Sequence, residues 1–173
     1  MKKLLLFTLL FITIVTNGQA NSKPFNSLTD KDLKKFTYSE NQSVIKIFNK
    51  TDNPDVVSQY LEIKNNFLYF HSVIEHKYSK TIRFKKVIFQ YDDKKIEYII
   101  PKTNVKSWSL HYFIEESDVI ISSEMVVRFK EMLDAKSKIE VTLVGDPEVK
   151  FYLSNKEKKY FKRMLELYDK LKK

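Results

Sequence analysis

At 173 residues, with 43% hydrophobic, 31% charged and 14% aromatic side chains, the chain has the composition of one globular domain with a full core, which excludes a largely disordered protein. Lys and Arg number 31 against 22 Asp and Glu, a formal charge of +9, yet only Arg83, Arg128 and Arg163 are arginines. Charge carried mainly by lysine suits diffuse attraction and not bidentate reading of base edges, so sequence-specific nucleic-acid binding is not expected. Cysteine is absent, which excludes disulfides, thiolate metal sites, thiol catalysis and a lipid anchor on cysteine.

The first stretch reads as an export signal. Lys2 and Lys3 precede an apolar run from Leu4 to Val15, and Gly18-Gln19-Ala20 offers small residues before a cut between Ala20 and Asn21. The run is far shorter than the ~20 residues that span a bilayer, so no transmembrane span is expected once the signal (1–20) is cleaved. Removing Lys2 and Lys3 leaves 29 Lys and Arg against 22 acids, or +7. The expected organisation is this signal, a flexible lead-in over 21–27 and one domain over 28–173.

Within the domain, Thr29 is placed to cap a short helix reaching about Phe36, with Asp30 and Asp32 in its first turn. Ser43 to Phe48 alternates as a strand and is closed by the turn-rich 49–55. Two strands follow between Val56 and Tyr78, joined at Asn65-Asn66, because Asn tolerates the positive φ of tight hairpin turns. In the first, Val57, Gln59, Leu61 and Ile63 share a face; the second is apolar on both faces and is expected at the centre of a sheet. Thr81 to Tyr91 and Lys95 to Ile100 predict a hairpin around Asp92-Asp93-Lys94, with a bulge at Lys85-Lys86. Trp108, Leu110, Tyr112 and Ile114 alternate as one strand leading into an acidic loop, Glu115 to Asp118. Ser122 caps a helix with Met125, Val126, Phe129, Met132 and Leu133 on one face, and Ile139–Leu143 and Val149–Leu153 form a hairpin around Gly145-Asp146-Pro147-Glu148. Ser154 and Glu157 make a capping box for a last helix that buries Phe161, Met164, Leu165, Tyr168 and Leu171. The fold class is therefore α+β: a mainly antiparallel sheet of about six to eight strands, with two C-terminal amphipathic helices packed on it and a short N-terminal helix.

The chemistry-bearing motifs are few. Beyond the signal the one glycine is Gly145, so phosphate-cradling and dinucleotide loops are absent, as is a G-x-S-x-G elbow. His71 to His76 spells H-x-x-x-E-H, one residue longer than a zinc-binding H-x-x-E-H, and in a strand the two histidines point to opposite faces. No metal site, cofactor or catalytic residue is assigned.

Two candidate surfaces remain. His111 with Glu115, Glu116 and Asp118 could bind a ligand, and Lys158, Lys159, Lys162 and Arg163 form a basic face on the last helix. The expected function is that of an exported bacterial protein, periplasmic or secreted, which binds an envelope or extracellular partner without catalysis. The alternatives are a metal-assisted hydrolase built on the acidic loop and one histidine, and a basic protein held weakly at anionic envelope surfaces.

Overall fold

The computed structural model describes residues 19–49, 57–109 and 112–173. Its α+β class is as expected, and the described residues form eleven strands in two antiparallel sheets against the six to eight expected. The larger sheet has the order β2 (Phe36–Asn41), β3 (Val44–Asn49), β4 (Val57–Lys64), β5 (Phe67–Tyr78), β9 (Tyr112–Ile121) and β8 (Asn104–Ser109). The short β1 (Gln19–Asn21) pairs with the start of β5. The smaller sheet runs β11 (Val149–Tyr152), β10 (Glu140–Val144), β6 (Lys86–Tyr91), β7 (Lys94–Ile99). The described residues also form a 3-10 turn at Phe25–Ser27 and the helices α1 (Asp30–Leu33), α2 (Ser123–Leu133) and α3 (Asn155–Leu171).

Local chemistry accounts for most boundaries. Thr29 and Asp32 close a capping box on α1, Ser122 accepts from the Met125 N–H, and Ser154 and Glu157 form the capping box of α3. Helix α1 ends at Leu33, earlier than expected, because the chain turns into β2, an edge strand whose mostly polar residues hide its alternation from the sequence. At the β4–β5 turn both Asn65 and Asn66 have positive φ, 52° and 63°, as a two-residue type I′ turn demands. Asp92, φ 46°, reverses the chain between β6 and β7. β6 starts at Lys86, and the 81–85 stretch expected as its beginning is irregular, with Ile82 and Phe84 buried and Arg83 at φ 47°.

Residues Trp108 to Ile114 do not form one strand. Ser109 pairs with Tyr112, so the chain reverses between them and β8 and β9 make a hairpin. The sequence between, Leu110-His111, lies outside the described residues and carries none of the residue types that mark a turn. The expected acidic loop is likewise strand: Glu115 to Asp118 lie within β9, paired with β5 along their whole length and with β8 at Glu115 and Glu116. Carboxylates are tolerated there because each has a partner, as set out below.

The core lies between the two sheets, with α2 and α3 in it. Phe70 of β5 stacks on Phe161 of α3 at 6.1 Å, Phe161 meets Phe129 of α2 edge-on at 4.9 Å, and Phe129 meets Phe89 of β6 at 5.5 Å. This file of rings joins sheet to sheet. All five apolar positions expected on α3 are buried, with Leu167 added. The inner face of the large sheet is thus the one bearing Leu61, Phe70, Ile74 and Gln59, and its outer face bears Phe48, Tyr60, His71 and Asp118.

The expected cut between Ala20 and Asn21 falls inside β1. From Asn21 onward the chain is tied to the C-terminus: Lys173 N–H donates to the Asn21 carbonyl at 2.9 Å and Lys23 N–H to the Leu171 carbonyl at 2.7 Å. Among the described residues no helix is long and apolar enough to cross a membrane.

Candidate functional site

Five residues lie opposite one another across the outer face of the large sheet: Thr37, Phe48, Tyr60, His71 and Ile120. Strand spacing of ~4.8 Å sets the separation of such a row. The three rings stack like plates, Phe48 on Tyr60 at 5.2 Å and Tyr60 on His71 at 4.2 Å. Lys46, two residues before Phe48 and so on the same face, holds its ammonium 5.0 Å from the Tyr60 ring centre and 3.4 Å from Glu62.

Asp118 closes the row. It sits on β9 one register step from His71, and its carboxylate takes two hydrogen bonds, from the Tyr60 hydroxyl at 2.7 Å and from His71 Nδ1 at 2.8 Å. Nδ1 is the donor, since a carboxylate only accepts. Burial opposes ionisation of Asp118, but the bonds from His71 and Tyr60 outweigh it and hold the carboxyl below its usual range. The same contact acts oppositely on Tyr60: burial first, then the Asp118 carboxylate, pushes its phenol far above the ordinary value. Tyr60 is therefore a fixed donor.

Beside this network the large sheet splits. Pairing of β3 with β4 stops at Phe48 and Tyr60; Asn49 continues on Phe36 of β2, while Val57, Ser58 and Gln59 pair with β5. The parted ends leave a cleft of about 380 Å³ reached from the outer face and backed by α3. Helix α3 fixes the back through two bonds: Asn49 Nδ2 donates to the Tyr160 carbonyl at 3.1 Å, and Val57 N–H donates to Glu157 Oε1 at 3.3 Å. Phe48, Ser58, Tyr60 and Asp118 line the outer side.

Three buried polar atoms at this cleft have no hydrogen-bond partner: Asn49 Oδ1 and both amide atoms of Gln59, a residue only 4% exposed. Elsewhere among the described residues the other such atoms are His71 Nε2, Glu115 Oε1 and Ser117 Oγ, one per residue. Buried amides are normally satisfied, and these three atoms, without accessible surface of their own, lie on the inner side of the split, the face that Gln59 shares with Val57 and Leu61.

The residues singled out in the sequence do not converge. Alternation along β9 puts Glu115 on the inner face and Glu116 and Asp118 on the outer. Glu115 is fully buried; its Oε2 accepts from the Tyr78 hydroxyl and from the backbone N–H groups of Ile82, at 3.2 Å, and Arg83, at 2.9 Å. It anchors the irregular stretch before β6. Glu116 pairs with Lys106 at 3.2 Å at the rim. Asp118 alone belongs to the network described above, and His111 lies outside the described residues. On α3, Lys162 reaches Asp134 at 3.5 Å toward α2, while Arg163 lies 5.5 Å from the Tyr160 ring and lines a separate cleft with Lys31, Lys34, Lys35 and Lys170 of about 550 Å³. Lys158 is half-buried and Lys159 exposed.

Sequence reading missed Phe48, Tyr60, His71, Asn49 and Gln59. One signal was legible: Gln59 interrupts the otherwise apolar face Val57, Leu61, Ile63, and a primary amide at a core position requires a partner. No described His, Asp or Glu residues group in a way that could hold a metal ion. No protein-family model, curated protein or solved structure matches the chain.

Proposed function

We propose that the chain is an exported, non-enzymatic binding protein whose ligand enters the cleft at the β3–β4 split. The observation that carries the reading is the cavity itself, about 380 Å³ and so within the ~300–1,000 Å³ of small-molecule sites, at the point where β3 and β4 part, with the unpartnered Gln59 amide buried on its inner side. A hydrolase built on the acids of β9 has less support, because Glu115 faces away from Asp118 and each acid is engaged by a protein partner. The test is a screen of small neutral polar fragments against the 15N-labelled chain. Saturable shifts of the Gln59 and Asn49 side-chain amide signals are expected; a screen that leaves both unmoved overturns the reading.

Export is supported by the basic start, the apolar run and the small residues before Asn21, and by the hydrogen bonding of Asn21 and Lys23 to the C-terminus. N-terminal sequencing of protein recovered outside the cytoplasm should begin at Asn21. A second reading, weak attachment to anionic envelope surfaces, is favoured by the cleft between α1 and α3, where Lys31, Lys34, Lys35, Arg163 and Lys170 outnumber Asp32 and Glu166. It requires binding to anionic vesicles that falls steeply with salt.

A further inference from the structure

We propose that the free edge of β2 pairs with β2 of a second copy of the chain, antiparallel about a two-fold axis at Tyr38, so that two large sheets become one. The inference is independent of the cleft at the β3–β4 split. An edge strand presents a row of unpaired N–H and C=O groups, and proteins blunt such edges with charge, proline, bulges, shortness or a covering group. Four strands end the two sheets: β2, β8, β7 and β11. Three carry such a device. The register of β8 shifts between Ser107 and Ser109, and β11 has only four residues. β7 carries Lys94, Lys95 and Glu97, and its Lys95 carbonyl accepts from Arg128 Nη2 of α2 at 2.6 Å. β2 lacks them all: it runs for six residues in unbroken register with β3, contains no proline, has Glu40 as its one charge, and is exposed from Thr37 to Asn41.

The hydrogen-bond pattern fixes which groups are free. β2 and β3 are joined by Gln42 and Ser43 alone, so the closing pair Asn41 and Val44 exchanges both of its bonds, as do Ser39 with Lys46 and Thr37 with Phe48. The N–H and C=O groups of Phe36, Tyr38 and Glu40 therefore point away from the sheet. An axis at Tyr38 pairs all three at once: Tyr38 with the partner's Tyr38, and Phe36 with the partner's Glu40 on either side. Side chains agree with this register. Tyr38 is 54% exposed and meets its own Phe25 ring at 4.9 Å, so the pair makes a row of four rings across the axis. Glu40 falls diagonally beside the partner's Lys34, and both are exposed and without an ion pair among the described residues. Pairing of six residues a side is small against the ~1,200–2,000 Å² of stable interfaces, so the dimer is a weak and reversible one.

Sedimentation velocity of the purified chain over a range of concentrations should show a monomer–dimer equilibrium. Tyr38→Pro should weaken it at least tenfold, with the circular dichroism of the parent retained, because the N–H it removes has no partner within one copy. Glu40→Lys sets lysine beside the partner's Lys34 and should weaken the dimer severalfold, most at low salt; this variant decides the matter if Tyr38→Pro does not fold. The chain has no cysteine, so single thiols report the register. In the proposed pair the two Tyr38 Cα atoms stand ~5.5 Å apart, within the ~4.4–6.8 Å that a disulfide spans. The two Thr37 Cα atoms are about 8 Å apart, two residues along the strand and one strand across. Oxidation should therefore link Tyr38→Cys into dimers and leave Thr37→Cys largely unlinked. A chain that stays monomeric up to about 1 mM overturns the proposal. So does a dimer that both Tyr38→Pro and Glu40→Lys leave unchanged, or a disulfide that forms more readily at Thr37→Cys than at Tyr38→Cys.

Discussion

Replacing Gln59 by leucine should make the protein more stable. Gln59 is 4% exposed on the inner face of β4, and neither amide atom has a hydrogen-bond partner, so folding removes the group from water without compensation. An unsatisfied buried polar group costs about 1–3 kcal/mol, and exchanging it for an apolar group of similar shape recovers much of that. Val57 and Leu61 flank the position on the same face, and a leucine there continues their apolar surface. The net gain expected for Gln59→Leu is about 1–2 kcal/mol, which for a domain of this size raises Tm by about 3–6 °C. Urea unfolding should show a higher midpoint at unchanged slope, since the surface exposed on unfolding hardly changes. A fall of 1 kcal/mol or more would refute the reasoning, because it would mean that the amide is satisfied in the folded protein and serves architecture.

Other substitutions test the surroundings. Glu115→Ala removes the acceptor of the Tyr78 hydroxyl and of the Ile82 and Arg83 N–H groups, and a loss of about 3 kcal/mol is expected by urea unfolding. Asp118 has a depressed pKa, so its contribution is present above the ordinary carboxylate value of ~4 and is lost as pH falls through its own lower value. Asp118→Asn should therefore cost about 1 kcal/mol at neutral pH, a figure discounted for a side chain 40% exposed, and the difference from the parent should shrink in strong acid. Burial raises the phenols of Tyr60, Tyr78 and Tyr98, the first two with help from Asp118 and Glu115, so their stabilising effect holds below ~10 and is lost as pH rises through their own values. An ultraviolet titration should show these three of the ten tyrosines ionising only with unfolding. A methyl at Gly145 would lie 2.3 Å from the Ile82 carbonyl oxygen, and Gly145→Ala should lower stability by about 1–3 kcal/mol in the same assay.

Where a boundary is set by residues close in sequence, it could be read from the sequence. The Ser122 cap, the Ser154–Glu157 box and the Asn65-Asn66 turn are of this kind, and each is as expected. Where it is set by a partner distant in the chain, it could not. Glu115 to Asp118 carries the composition of a loop and is strand because β5 runs along all of it and β8 along Glu115 and Glu116, with Tyr78, Lys106 and His71 supplying the counterparts. The site escaped for the same reason: Phe48, Tyr60, His71 and Asp118 come from four strands, and only strand order brings them side by side. The file of rings from Phe70 to Phe89 shows the same dependence in the core, since α2 and α3 reveal their apolar faces in sequence but not the sheets they join.

Glu115 and Gln59 show how architecture separates from function on one face of one sheet. Both are buried polar residues among apolar neighbours. The Glu115 carboxylate ties down a tyrosine and two backbone groups that would otherwise be stranded, and this accounts for its presence through folding alone. Gln59 satisfies nothing, and nothing satisfies it. It stands where β3 and β4 part, beside a cavity that an intact sheet would not have. A buried amide without a partner beside such a cavity is a place where a departure from the rules of folding and the proposed site coincide. The stacked rings and the Tyr60–Asp118–His71 hydrogen bonds tie β3, β4, β5 and β9 together along the outer side of that cleft, and a binding site of the kind proposed needs a wall fixed in advance in this way.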